Sequence, residues 1–145
     1  MRGHYTAKSD NKGRVKIPAE FLDDFLALCG ESRSAFVTSR DGQSVLVYPL
    51  PQWIEHEKKI ESLPSTEPAV EAYTRAVNFW GRESRIDASG RLLIHPLLRE
   101  AAALDGTVSV FGQRTLLELC DFERFRHQAP VVGTDDLAVL AKYGV

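Results

Sequence analysis

Two arginines stand in the same chemical setting at distant points of the chain. Arg14 closes Asp10-Asn11-Lys12-Gly13-Arg14 and Arg91 closes Asp87-Ala88-Ser89-Gly90-Arg91. In such a stretch the Asp carboxylate can accept from nearby backbone N–H groups, and the Gly supplies the positive φ that a tight turn requires. No turn geometry requires the Arg. A guanidinium at the mouth of a turn is permanently charged and presents a planar fork of donors, which suits a phosphate or the edge of a guanine. A single Asp-x-x-Gly turn is ordinarily structural. The same turn written twice, each time with Arg directly after the Gly, points to a ligand.

The repetition extends beyond the turn. Asp10, Gly13, Arg14 and Ile17 are answered by Asp87, Gly90, Arg91 and Ile94 at a constant offset of 77 residues, with no gap. Each copy then places Pro where a helix would begin, at Pro18 and, one position later in register, at Pro96. The unit is therefore a turn, a strand and a helix, and it occurs twice.

Charge is distributed in step with the motif. The chain carries a formal net charge of −2, yet the first eighteen residues hold Arg2, Lys8, Lys12, Arg14 and Lys16 against the single carboxylate Asp10. Residues 82–99 hold Arg82, Arg85, Arg91 and Arg99 against Glu83 and Asp87. The rest of the chain is acidic. A basic face on an otherwise acidic protein fits a phosphate-bearing partner while the other faces repel stray contacts. Arg14, Arg91, Lys12, Lys8, Lys16 and Arg99 are the basic residues available to such a partner.

Catalysis finds no support in the sequence. His4, His56, His95 and His127 show no metal-ligand spacing and read as surface or turn residues. No Ser or Cys stands in a recognisable nucleophile motif. Lys12-Gly13-Arg14 lacks the Gly-rich loop and the Gly-Lys-Ser/Thr of a nucleotide-binding loop. No cofactor or metal is expected. Cys29 and Cys120 have no local pairing pattern and read as small buried residues in a reducing compartment. No apolar run approaches the roughly 20 residues that span a bilayer, and Met1-Arg2-Gly3-His4-Tyr5 lacks the apolar core of a signal peptide. The cytoplasm is the expected location.

The elements that would position these side chains follow from the hydrophobic period. Tyr5 to Ser9 is expected to pair with Arg14 to Ile17 across the Asp10–Gly13 turn as a basic hairpin. Phe21, Leu22, Phe25, Leu26 and Cys29 form one stripe of a helix that Gly30 can end. Ala35–Ser39 and Ser44–Tyr48 flank an Asp41-Gly42 turn as a second hairpin. Two helices follow, one carrying Trp53, Ile60 and Leu63 and the next Val70, Tyr73, Val77 and Trp80. They have no counterpart after the second repeat and read as an inserted connector. Gly81–Ile86 with Arg91–Ile94, Pro96–Leu104, and Thr107–Gly112 with Thr115–Cys120 then rebuild hairpin, helix and hairpin. Leu98 stands where Phe21 stood and Ala102 where Phe25 stood. A unit of about 45 residues is too small to fold alone, so two units are expected to interleave around one sheet-rich core with pseudo-twofold symmetry. The tail from Pro130 reads as a loop and a small docking helix.

These motifs carry a family resemblance. Asp-x-Lys-Gly-Arg-x-x-Ile-Pro, Asp-x-x-Gly-Arg-Leu-Leu-Ile-x-Pro-x-Leu-Arg and Tyr48-Pro49-Leu50-Pro51-Gln52-Trp53 together resemble the MraZ family, bacterial transcriptional regulators with two SpoVT-AbrB domains in one chain. The resemblance runs from Arg2-Gly3 to about Phe125. It implies an α+β fold of tandem AbrB-like swapped-hairpin β-barrel domains with connecting helices. The boundaries are 3–51 for the first domain, 52–80 for the connector, 81–124 for the second domain and 125–145 for the tail. It further implies a ring-like homo-oligomer that binds direct repeats of double-stranded promoter DNA, associates with the nucleoid and represses its own division and cell-wall operon. The family's DNA-contacting Arg falls on Arg14 and Arg91, and its neighbouring basic position on Lys12. Ser89 replaces that Lys in the second turn, so the two turns are expected to contact DNA unequally. Soon after the Pro, where related domains are basic, Leu22 and Asp23 stand in the first repeat, and only Arg99 of the second fits. The competing reading is an antitoxin-like module of the same fold whose task is to mask a protein partner.

Overall fold

The computed structural model describes residues 1–145. The first repeat supplies β1 (His4–Lys8), β2 (Arg14–Lys16), α1 (Ala19–Cys29), β3 (Ser34–Thr38) and β4 (Val45–Pro49). Two helices follow, α2 (Leu50–Glu61) and α3 (Pro68–Trp80). The second repeat supplies β5 (Arg82–Arg85), β6 (Arg91–Leu93), α4 (Pro96–Ala101), β7 (Thr107–Gln113) and β8 (Leu116–Asp121), and the chain ends with α5 (Phe122–His127) and α6 (Thr134–Ala141). The whole is an α+β fold with antiparallel sheet.

The first hairpin expected in each repeat does not form. β1 pairs with β7 of the second repeat, Tyr5 opposite Val110, and β5 pairs with β3 of the first, Phe36 opposite Glu83. The six-stranded sheet runs β1-β7-β8-β4-β3-β5, while β2 and β6 pair only with each other. Between the two halves of the supposed basic hairpin only a Ser9–Val15 bridge remains. The reason is burial. β2 is three residues long and turns one side chain inward, whereas β7 is seven residues long and buries Val108 and Val110, so its free edge gains more from a partner. Local alternation of polar and apolar residues is the same whichever strand supplies the hydrogen bonds. The second hairpins, β3–β4 and β7–β8, form within their repeats as expected.

Exchange of strands gives the two repeats one core. Val15, Ile17, Phe21 and Phe25 of the first repeat lie in the same buried cluster as Leu92, Ile94, Leu98 and Ala102, their equivalents in the second. Full burial of a side chain of this size stabilises by about 1.5–3 kcal/mol. α1 turns Phe21, Phe25 and Cys29 into that cluster and stops at Gly30, whose φ of 73° is the left-handed value that favours glycine.

α2 and α3 dock on the outer side of the β3–β4 hairpin. Trp53 stacks on Phe36 with ring centroids 4.5 Å apart and meets Tyr48 edge-on at 4.9 Å. Thr38 donates its hydroxyl to the Val77 carbonyl at 2.7 Å, and His56 Nε2 bonds the Tyr73 hydroxyl at 2.7 Å. Trp53 and Val77 are thus buried, while Ile54, Leu63 and Phe79 remain in solvent. The reading of His95 as a surface or turn residue is corrected: it is 7% exposed and its Nε2 bonds the Trp80 carbonyl at 2.7 Å, tying the end of α3 to the start of α4. α6 forms, but every residue in it is exposed. No helix is long and apolar enough to cross a membrane.

Candidate nucleic-acid interface

The two motif turns are built alike. Asp10 Oδ1 accepts from the N–H groups of Lys12 and Arg14, both at 2.9 Å, and Asp87 Oδ1 accepts from those of Ser89 at 2.8 Å and Arg91 at 2.9 Å. Gly13 and Gly90 take the positive φ the turns require, 78° and 79°. These backbone bonds, the one from the Arg N–H foremost, hold both carboxyls below the usual carboxylate range. The turns are also locked to each other, Ile17 N–H donating to the Gly90 carbonyl at 2.9 Å and Ile94 N–H to the Gly13 carbonyl at 3.0 Å.

The β2–β6 ribbon joins the turns and decides where the basic side chains point. Its register sets Arg14 opposite Leu93, Val15 opposite Leu92 and Lys16 opposite Arg91. Val15 and Leu92 are buried, so Arg14, Lys16, Leu93 and Arg91 lie on the outer face by the two-residue period of a strand. Lys8, Arg14, Lys16 and Arg91 line one groove beside Thr6 and Pro18. Lys12 is exposed in the first turn. Arg99 reaches from α4 across the Gly13 turn, where its guanidinium occupies the space a Cβ at Gly13 would take. All six residues singled out in the sequence therefore belong to the ribbon, its turns or its borders.

The two arginines are not equivalent. Arg14 Nε bonds Asp10 Oδ2 at 2.9 Å and its Nη1 lies 3.9 Å from Asp87 Oδ2. Arg91 has no carboxylate within salt-bridge distance. At Gly90, the counterpart of Gly13, the covering side chain is Leu22 and not a cation. Leu93, in the place that Lys16 holds in the first repeat, is 48% exposed. The cations are thus distributed differently over the two turns, with Lys12 and Arg99 at the first, where Leu93 lies opposite Arg14, and Lys16 opposite Arg91 at the second.

One supporting residue escapes sequence reading. Arg33 donates from Nε to the Ile86 carbonyl at 3.0 Å and from an Nη to the Asp87 carbonyl at 2.7 Å, bracing the second turn from the first repeat. Its partners lie more than fifty positions away, and only the strand exchange brings them near. No group of three or more His, Cys, Asp or Glu side chains is arranged to hold a metal ion.

Comparison with known proteins is consistent along the whole chain. No family model matches it. It is 35% identical over 148 residues to the transcriptional regulator MraZ of Acidobacterium capsulatum, an alignment that covers 100% of this chain and 99% of that protein. It is 32% identical over 142 residues to the MraZ regulator of Koribacter versatilis, covering 94% of each. Against the MraZ regulator of Nitrosomonas europaea it is 36% identical over 125 residues, 86% of this chain and 83% of that one.

Proposed function

The chain belongs to the MraZ family, and we propose that it is a DNA-binding transcriptional regulator that contacts double-stranded DNA through the β2–β6 ribbon and its two turns. The observation that carries this reading is the register that sets Arg14, Lys16 and Arg91 on one outer face while Val15 and Leu92 are buried behind them. A two-stranded ribbon is narrow enough to enter the major groove. Arg91, free of carboxylates, is the residue assigned to a base edge or a phosphate. Lys8, Lys12, Lys16 and Arg99 supply phosphate contacts around it, and each such contact adds counterion release to the affinity. Arg14 joins them by exchanging its bond to Asp10 for one to DNA.

The finer reading follows the family resemblance. The chain acts at direct repeats in the promoter of its own division and cell-wall operon, as a repressor and as a ring-like homo-oligomer whose subunits each carry two AbrB-like domains, residues 3–51 and 81–124. One ribbon makes few contacts, so a single DNA element is bound weakly. Linked ribbons on an oligomer engage several elements at high effective concentration. Titration of the purified protein with its own promoter DNA at two salt concentrations tests the proposal. Specific binding that weakens steeply with salt is expected. Binding that is absent at low salt, or indifferent to sequence, would leave the protein-masking module as the better reading.

A further inference from the structure

Each motif turn is covered by a side chain from the helix of the other repeat, and the two covering residues are the same position of the repeat. Arg99 of α4 fills the space beside Gly13, and Leu22 of α1, 77 residues earlier, fills the space beside Gly90. The helices that carry them are anchored differently. α1 is 11 residues long and buries Phe21, Phe25 and Cys29. α4 has 6 residues, buries Leu98 alone among them, and has no side-chain hydrogen bond at its N-cap. A helix so short does not hold itself. No carboxylate lies within salt-bridge distance of Arg99, so its guanidinium goes where α4 carries it.

His95, the residue before α4, supplies the missing anchor. Its Nε2 lies 2.7 Å from the Trp80 carbonyl at the end of α3, and a carbonyl only accepts, so the ring donates. The backbone carbonyl of His95 accepts from the Arg99 N–H at 2.9 Å, and the N–H of the preceding residue, Ile94, donates to the Gly13 carbonyl at 3.0 Å. One residue thus fixes the end of α3, the first turn of α4 and, through its neighbour, the turn that Arg99 covers. Packing alone does not account for the ring. Its Nδ1 is buried with no hydrogen-bond partner, a cost that an apolar side chain would avoid. At the same position the first repeat has Pro18, which offers no side-chain donor.

We propose that His95 is a positioning residue for the nucleic-acid face: by holding the Trp80 carbonyl it sets α4 so that the Arg99 guanidinium stands over the first turn, where it can meet a phosphate. The proposal rests on the ribbon being the DNA-binding face. It gives the connector a part in DNA recognition, because the end of α3 is the fixed point from which Arg99 is placed.

The intact protein is compared with His95→Leu, which removes the donor together with the unpartnered Nδ1, with His95→Gln, whose amide N–H can reach the same carbonyl, and with Arg99→Ala. Without DNA, the Gly13 amide NMR signal of His95→Leu is expected to move toward its position in Arg99→Ala, and His95→Gln to restore it. The Gly90 amide, covered by Leu22, should stay at its wild-type position throughout. With promoter DNA, Arg99→Ala and His95→Leu should each weaken binding several-fold and to a similar extent, lowering the slope of log affinity against log salt by about 0.9. The double variant should bind no more weakly than either single one. A His95→Leu loss that adds in full to that of Arg99→Ala overturns the proposal, and so does equal displacement of the Gly13 and Gly90 signals, since a general loosening of the fold would produce both. If His95→Leu does not fold, His95→Asn takes its place in the same comparison, being well suited to an N-cap and too short to reach the Trp80 carbonyl. A wild-type protein that binds no DNA would end the reading of the ribbon itself, while the Gly13 and Gly90 signals would still decide whether His95 places Arg99.

Discussion

Val15 of β2 is paired directly with Leu92 of β6, and the two are the same position of the two repeats, 77 residues apart. The pseudo-twofold axis therefore passes between them. Arg14 and Arg91 lie on either side of that axis, on the face away from the core. The arrangement gives two similar turns to one outer surface while letting each turn carry its own charge.

Arg91→Ala is expected to reduce specific DNA affinity about 5- to 150-fold, the equivalent of the roughly 1–3 kcal/mol carried by a bidentate base contact, with thermal stability unchanged. Arg14→Ala should also weaken DNA binding, and in addition lower stability by at most about 1 kcal/mol, since its partly exposed pair with Asp10 is lost. For whichever Arg contacts phosphate, the slope of log affinity against log salt falls by about 0.9. Binding isotherms at three salt concentrations, with melting curves of both variants, check this. Unchanged affinity in a folded Arg91→Ala protein would remove the ribbon from the interface.

Gly13→Ala and Gly90→Ala both force a side chain into left-handed backbone, a cost of about 1–2 kcal/mol. Their surroundings differ. The new methyl at Gly13 meets the mobile end of Arg99, whereas at Gly90 it meets Leu22 at 3.0 Å. Arg99→Ala should therefore recover part of the loss caused by Gly13→Ala and none of that caused by Gly90→Ala. Denaturant unfolding of the two double-mutant cycles measures it, and equal coupling in both would contradict the packing described here.

Acid should loosen the turns before it reaches the core. Asp10 and Asp87 are held below the ordinary carboxylate value by backbone N–H groups, those of Arg14 and Arg91 first. The folded state therefore binds fewer protons than the unfolded chain at these sites. Their stabilising contribution is complete above the unfolded value, near pH 4, and is lost as pH falls through the lower folded values. Asp10→Asn with Asp87→Asn should flatten the pH dependence of stability below about pH 4. Carboxyl NMR titration of the wild-type protein reads the two groups directly, and ordinary midpoints at both would refute the assignment.

Sequence alone located the turns, the basic residues and most elements because those features are local. Gly13 and Gly90 announce positive φ by type and spacing, and Pro18 with Phe21, Phe25 and Cys29 marks α1 by period. The partners of β1 and β5 were not legible, since alternation fixes which side chains face inward but not which strand lies alongside. The same non-local pairing hid Arg33 behind the second turn, and the contact of His95 with the Trp80 carbonyl depends on how the end of α3 meets the start of α4, which no local pattern shows. The difference between Lys12 and Ser89 was legible in the sequence, whereas the reach of Arg14 toward both Asp10 and Asp87 was not, because it depends on how the two turns are packed together.

Assembly is most directly tested at Phe79. The sequence places a broad apolar stripe on the connector, but the Val77 side chain is buried and Trp53 stacks on Phe36, so substitution of either would damage the subunit itself. Phe79 is 61% exposed on α3 and touches Trp80 edge-on at 4.8 Å. A large ring held in solvent, with Ile54 and Leu63 also exposed on this connector, is the kind of surface a neighbouring copy covers. A head-to-tail contact there would close into a ring when its rotation allows. Phe79→Asp is expected to leave melting within about 0.5 kcal/mol of wild type, as for a surface change, while light scattering reports smaller particles. Those particles should bind one promoter element as the wild type does and lose the gain from several, because the ribbons are untouched and only their linkage is broken. Particles of unchanged size would place the contact between copies elsewhere, and a wild-type protein that is monomeric at micromolar concentration would end the ring mechanism altogether.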